Sequence, residues 1–433
     1  MPKEMVNLVF AGHVDHGKST LVGRIFYERG EISDQMLQRL ERHAEAVGKG
    51  TFHFAFFLDT SLEERRRGIT VETSYKGFET ESRRYNIIDA PGHKDFVKNM
   101  ITGASEADAA VLVVDAKETS TSGAAPQTRE HIVLLNALGI DRLVVAVNKM
   151  DTVAYDRESF DLCKMEIEHF CEKMRYEAGQ AATYVPISGL LGENISKPSQ
   201  HLPWHDGKPL LAVLDSLELP ERPIHLPLRM PILRAFSVPG VGSVVAGRIE
   251  TGAVRPGDRV VVAPYPGTGV ASGEVKSIQW QHVDVESASA GDDVGIMMTK
   301  LERGFVARQV KKGAVLGVPA DPPRACRRFK AEVLVVDHPT GIKAGYTPYL
   351  HVHQAAMPCR IVNVILARDA HGEAKKIDDE SRLKDGDSAV VWIETDKPLV
   401  IEPVAKCPRL GRFVLRDGRT VATGLCIEPD FTS

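Results

Sequence analysis

The stretch FAGHVDHGKSTLVGRI, Phe10 to Ile25, decides how the rest of the chain is read. It lies between an apolar run and a run of helical spacing. Between the two it sets Gly12, Gly17, Lys18 and Ser19 in a G-x4-G-K-S pattern. Glycines allow successive backbone N–H groups to turn inward against an anion. A lysine at this spacing reaches β- and γ-phosphates, the hydroxyl after it ligates Mg²⁺, and the positive end of the following helix adds attraction. The amides from Gly12 to Thr20, with Asp15, His16, Gly17, Lys18, Ser19 and Thr20 among them, therefore read as a phosphate nest. The competing reading is a glycine-rich turn with no ligand. A strand before and a helix after is the placement that the phosphate reading requires.

Outward from this stretch, VNLVFAG (5–11), RRYNIIDA (83–90), DAAVLVVDA (108–116), DRLVVAVNKM (141–150) and ATYVPIS (182–188) read as buried strands. Helical patterns alternate with them: KSTLVGRIFYER, FVKNMITGAS, TREHIVLLNALG and RESFDLCKMEIEHFCEKMRYE. In the last, Phe160, Met165, Phe170 and Met174 are expected on one face. This predicts a mostly parallel, doubly wound α/β sheet with its ligand at the carboxyl ends of the strands. Four more pieces fall at that edge. DAPGH (89–93) offers Asp89 to Mg²⁺ and the Gly92 N–H to a γ-phosphate. RRRGIT (65–70) offers Thr70 as a metal ligand. NKMD (148–151) supplies Asn148, Lys149 and Asp151, whose carboxylate accepts the N1–H and exocyclic amine of guanine; adenine has no such donor pair. Ser188, Gly189 and Leu190 present backbone N–H to the guanine carbonyl. Together these imply a Mg·GTP site.

Near residue 220 the texture changes. LELPERPIHLPLRMPI is proline-rich and reads as a stiff linker. Beyond it, short β-branched runs between Gly and Pro turns predict small β-barrels, with ADPPRACRRF (320–329) as a second break. The expected division is a P-loop GTP-binding domain at 1–219, a β-barrel domain at 220–322 and another at 323–433. The length itself, 433 residues, exceeds one compact core. The balance of 54 basic and 58 acidic side chains, net −4, neither invites nor forbids nucleic acid, because a local patch decides that. No apolar run reaches bilayer length, and the N-terminus enters a strand at once, so no signal peptide and a cytoplasmic location are expected. The six scattered cysteines, among them Cys163 and Cys171 on one helix, read as reduced packing residues.

The motifs GHVDHGKST, ERRRGIT, DAPGHKDFVKNMITGASEADAAVLVVDA, QTREH, NKMD and VPISG occur in an order that resembles the translational GTPases of the elongation factor Tu (EF-Tu) and elongation factor 1-alpha family. LPW at 202–204, HPTGIKAGYTPYLHVH and LGRFVLRDGRTVATG are most similar to its archaeal and eukaryotic branch. The resemblance spans almost the whole chain. It implies that His93 orients the attacking water, that Val14 and Ile69 gate it, and that Asp15 helps to coordinate a monovalent cation; a solvated turn is the competing account of Asp15. It further implies GTP-dependent delivery of aminoacyl-tRNA to the ribosomal A site, a nucleotide exchange factor, no membrane and a monomer. A carrier of a release or rescue factor, or the GTPase subunit of ATP sulfurylase, are the alternatives. GHVDHGK departs from the Gly-Ser-Val-Asp-Asp-Gly-Lys of the latter.

The resemblance is broken at two places. Where the family often has acidic-acidic-Val-Phe, this chain has Leu233, Arg234, Ala235 and Phe236, and IQWQHVDVE (278–286) brings unfamiliar Trp280 and His282. These changes raise the prospect of a different cargo against drift at a tolerant surface. Arg409, Arg412, Arg416 and Arg419 either approach an RNA backbone or form a solvated basic strand face. The aromatics of TFHFAFFLD (51–59) form either a docking face or a small local core.

Overall fold

The computed structural model describes residues 3–46, 48, 53–57, 74–89, 97–174, 176–177, 181–238, 242–280, 283–302, 304–378 and 381–432, with backbone alone at 74, 75, 89, 98, 99 and 102. It divides into two compact units, residues 1–136 with 140–220, and residues 221–433 with 137–139.

In the first unit the described strands are β1 (Glu4–Ala11), β2 (Ser74–Glu79), β3 (Arg83–Asp89), β4 (Ala109–Asp115), β5 (Leu143–Asn148) and β6 (Thr183–Pro186). They form one sheet in the order β2-β3-β1-β4-β5-β6. Helices cover its faces, so its central strands are continuously apolar rather than alternating. β4, AAVLVVD, and β5, LVVAVN, are buried at every position. The edge strand β2, SYKGFE, pairs antiparallel with β3. Its polar and glycine content hides it from a search for buried runs, and the sequence reading did not find it.

Parallel register aligns the carboxyl ends. Phe10 lies opposite Asp89, Ala11 opposite Leu112, Asp115 opposite Asn148 and Val147 opposite Pro186. The chain order reverses direction at β1, with β3 on one side and β4 on the other. The loop after β1 thus leaves at the topological switch point.

The helices that frame the sheet and its loops include α1 (Lys18–Glu28), α2 (Asp34–Ala46), α3 (Ala116–Ser122), α4 (Pro126–Ala137) and α5 (Arg157–Lys173). α5 starts where the Asp156 carboxylate accepts the Ser159 N–H at 2.8 Å. Its buried face is Phe160, Cys163, Ile167 and Cys171, while Met165 is 63% exposed. The expected face of Phe160, Met165, Phe170 and Met174 is therefore corrected. Steps of three and four stay on one side of a helix with 3.6 residues per turn, whereas a step of five lands about 140° away. All six cysteines are free and buried.

The aromatic stretch resolves as a local core. Phe54 and Phe56 are buried, and Phe56 packs with Leu40 and Ala44 of α2. Phe57 stands against Phe26 with ring centroids 5.3 Å apart. The docking reading of these rings does not hold; residues 51, 52, 58 and 59 of the stretch lie outside the described residues.

The second unit is all-β. Six strands close into a barrel in the order Arg259–Tyr265, Val315–Gly317, Arg229–Val238, Gly242–Arg248, Asp293–Thr299 and Gly269–Trp280, which pairs again with the first. A second six-stranded ring runs Tyr349–Val352, Arg412–Asp417, Arg419–Asp430, Ala325–Val335, Ser388–Val400 and Ala355–Arg368. Closure leaves neither ring with an open edge along those strands. Between the rings, Ala263, Val315, Val400, Cys407 and Leu410 share one apolar cluster. Beside it, Arg229 Nε contacts Glu402 Oε1 at 2.5 Å and Arg229 Nη2 contacts Asp321 Oδ2 at 2.9 Å. Lys406 reaches both carboxylates.

Candidate nucleotide-binding site

The loop after β1 is shaped by two glycines that cannot be replaced without movement. Gly12 has φ 141°, and a Cβ there would sit 2.2 Å from the Val113 carbonyl oxygen. Gly17 precedes α1 in the left-handed region, φ 86°, and a Cβ would fall 2.6 Å from Asn148 Nδ2. Asp15 at the loop tip is exposed with φ 64°. Lys18 is buried and its Nζ donates to the Gly12 and His13 carbonyls, 2.8 Å each. The ammonium is thus folded back under the loop, and Ser19 follows it in the first turn of α1. This cradle, which a single Cβ would fill, fits a string of phosphates on backbone N–H groups.

His16 turns the other way. Its ring is 1% exposed, with Nδ1 3.2 Å from the Val113 carbonyl and Nε2 3.2 Å from Glu118 Oε2. Burial lowers its pKa, and the Val113 and Glu118 contacts oppose this only in part. Only the backbone of His16 is available to a nucleotide.

Asn148, at the end of β5, joins three segments. Its Nδ2 donates to the His16 carbonyl at 2.8 Å, and its Oδ1 accepts the Gly189 N–H at 2.8 Å. Three residues on, Asp151 Oδ1 accepts the Ser188 hydroxyl at 2.5 Å, and Ser188 is fully buried. The carboxylate expected to read guanine is therefore oriented by the loop expected to meet the guanine carbonyl. The Leu190 carbonyl accepts a bond from the Arg24 guanidinium of α1. Lys149 has φ 61° and its Nζ lies 2.8 Å from Asp115 Oδ2. Asp115 also caps α3 by accepting the Glu118 N–H at 3.0 Å. Burial would raise its carboxyl, but Lys149 and the Glu118 N–H outweigh burial and hold it below the usual range.

The fold thus brings Asp15 to Thr20, Asn148, Lys149, Asp151 and Ser188 to Leu190 to one edge. Thr70, Gly92 and His93, with Ile69, lie outside the described residues. Asp89 is described in its backbone only, beside Phe10 at the base of the loop. Of the candidate metal ligands, Ser19 alone has a described side chain, and no group of three His, Cys, Asp or Glu suited to a metal occurs among the described residues. The sequence reading gave no role to Asp115, Glu118 or His131. QTREH, 127–131, was the available signal for His131, but spacing alone does not say what it touches.

Three models match the chain: the elongation factor Tu GTP-binding domain over residues 3–221, elongation factor Tu domain 2 over 242–317, and the GTP-eEF1A C-terminal domain-like model over 328–427. The chain belongs to the elongation factor Tu and elongation factor 1-alpha family of GTPases. It is 45% identical over 428 residues to elongation factor 1-alpha of Methanocaldococcus jannaschii, covering 98% of both chains. It is 43% identical over 429 residues to elongation factor 1-alpha of Thermoplasma volcanium, again covering 98% of both. A solved structure of the S. cerevisiae Ski7 GTPase-like domain, bound to GTP, shares the fold with a TM-score of 0.78 at 16% identity, covering 98% of this chain and 97% of that one. These relatives make the chain a translation elongation GTPase and do not favour the release-factor carrier or the ATP sulfurylase subunit.

In the second unit, Arg234 and Phe236 are exposed on the strand Arg229–Val238, just past a bulge between Ile232 and Arg234. Trp280 pairs with Val283 at a hairpin, and His282 lies outside the described residues. Of the four arginines expected to share a basic face, three are drawn into separate contacts. Arg416 is buried and bonds Thr420 Oγ1 at 3.2 Å, Arg409 lies 3.5 Å from Glu250 of the other barrel, and exposed Arg419 pairs with Asp337 at 2.9 Å. No helix among the described residues is long and apolar enough to cross a membrane.

Proposed function

We propose that this elongation GTPase carries aminoacyl-tRNA to the ribosomal A site while loaded with GTP, and that hydrolysis to GDP and phosphate releases the cargo. The observation that carries the reading is the Asn148 side chain, which ties the amide nest after β1 to the loop that orients Asp151. Phosphate recognition and guanine recognition are thereby held in one rigid arrangement, as a guanine-specific site needs. In this reading the division is 1–219, 220–322 and 323–433. In this reading the backbone of Asp15 to Thr20 and of Gly92 surrounds the phosphates, and Lys18, aimed by the Gly12 and His13 carbonyls, meets them with its ammonium. Asn148, Lys149, Asp151 and Ser188 to Leu190 enclose the base.

Ser19, Thr70 and Asp89 would hold Mg²⁺, which when bound neutralises charge on the transferred phosphoryl group. Asp15, exposed at the loop tip, is the residue proposed to help coordinate a monovalent cation. His93 is the residue proposed to place the attacking water, since phosphoryl transfer needs positioning more than covalent help. Loss of the γ-phosphate frees Thr70 and Gly92, so cargo affinity follows the nucleotide. A nucleotide exchange factor, a cytoplasmic location and a monomeric state complete the proposal.

Two measurements test it. Purified protein should bind guanine nucleotides and discriminate against adenine nucleotides, and filter binding should retain charged tRNA in GTP and release it in GDP. Equal retention of charged and uncharged tRNA in both states removes the delivery reading. His93→Ala should leave GTP affinity within about two-fold and remove ribosome-stimulated hydrolysis, a loss of at least ~10²-fold; stimulation that survives would remove the role of His93.

A further inference from the structure

We propose that His131, on α4, is a positioning residue for the phosphate loop: its Nδ1 accepts the Gly12 N–H at 2.9 Å, and this bond sets the peptide from which Lys18 is directed. The inference rests on the site reading above and goes beyond it, because His131 reaches no nucleotide position.

Gly12 is the first residue past β1 and is held at both ends. Its carbonyl accepts Lys18 Nζ at 2.8 Å, and its N–H goes to His131. The carbonyl of Val113 stands too close for a side chain on Gly12, so the peptide cannot drift toward β4. His131 is 1% exposed, so water does not replace it as an acceptor. The chemistry also decides its proton. A backbone N–H only donates, so Nδ1 carries a lone pair and the imidazole is neutral with its proton on Nε2. A second buried histidine, His16, anchors the far side of the loop through Val113 and Glu118. The loop is therefore clamped from inside by two imidazoles contributed by different segments. Without the His131 bond, the Gly12 N–H is buried and unpaired, and the peptide rotates to relieve it. Lys18 then loses the carbonyl that aims it.

The test compares His131→Asn, His131→Gln and His131→Leu with the unaltered protein. Asn places its Oδ1 where Nδ1 stands, whereas Gln carries its amide one bond further and Leu has no acceptor. Release of a fluorescent GDP derivative is followed by stopped flow. The expected result is release accelerated about ten-fold or more in Gln and Leu, the size of one buried N–H left unpaired, and within about three-fold of the unaltered protein in Asn. Equal release in Asn and Gln, or release unchanged in Leu, overturns the proposal. If Leu does not fold, the Asn–Gln contrast decides, because both keep a polar amide and differ in where it reaches. Lys18→Ala run alongside separates the two levels. Guanine nucleotide held equally well without Lys18, or not held by the unaltered protein, brings down the site reading and this inference with it. Tight binding that needs Lys18 but shows no Asn–Gln contrast brings down the inference alone.

Discussion

Gly17 shows how a single atom shapes the site. Its φ of 86° and the 2.6 Å approach to Asn148 Nδ2 leave no room for a methyl group. Gly17→Ala should weaken GDP binding by about ten-fold or more, since the left-handed conformation alone disfavours a Cβ by ~1–2 kcal/mol; equilibrium dialysis reads this directly. His353 belongs at the same scale. Burial lowers its pKa from 6.5 to about 4, while Nε2 meets the Val400 carbonyl and Nδ1 the Gln354 N–H, each at 2.8 Å. The unfolded chain takes up a proton below about pH 6.5, and the folded chain does so only near pH 4. The share of stability contributed by His353 is therefore complete above pH 6.5 and is lost, by roughly 3 kcal/mol, on acidification to about pH 4. Urea unfolding at both ends of that window should show the drop, and His353→Asn should remove that share of it. The glycines and lysine of the phosphate loop were legible in the sequence because their spacing is itself the chemistry. The burial of His353 was not, because nothing local marks it.

At the scale of elements, β4 and β5, buried at every position, announced themselves as apolar runs, and the shorter apolar stretches of β1, β3 and β6 sufficed to locate those strands. β2 escaped because an edge strand with Gly77 and Lys76 carries no such run. Helix α5 was located but turned wrongly. Its sequence offers apolar side chains on several faces, and the docking surface chose the narrower Cys163–Ile167–Cys171 stripe. Two substitutions separate the alternatives. Ile167→Ala should lower unfolding free energy by ~2–5 kcal/mol, and Met165→Glu should change it by no more than ~0.5 kcal/mol, both measured in urea. A larger effect at Met165 than at Ile167 would contradict the observed face. Among the candidate site elements, the loops after β1, β5 and β6 come together because parallel register places their strand ends in line.

For the molecule as a whole, the second unit depends on a junction that sequence could not reveal. Arg229 is 3% exposed and bridges Glu402 and Asp321 from the two barrels. Arg229→Ala would leave the buried Glu402 carboxylate facing the half-exposed Lys406. The expected loss is ~3–5 kcal/mol of stability in that unit, the range for breaking a buried pair from one side. Calorimetry on the full chain should show the barrel transition moving to lower temperature; an unmoved transition would show that the pair contributes little.

Local spacing alone determined the phosphate loop, the alternation of strand and helix, the change to barrels near residue 220 and the membership of the family. Each of these rests on residues within a few positions of one another, where backbone periodicity and steric need act directly. The tertiary structure decided which side chains meet: His131 under Gly12 across 119 positions, and Arg229 against Glu402 across 173. Such pairs arise from register and packing between distant segments. Their residue types are ordinary, and only burial at hydrogen-bond distance makes them consequential.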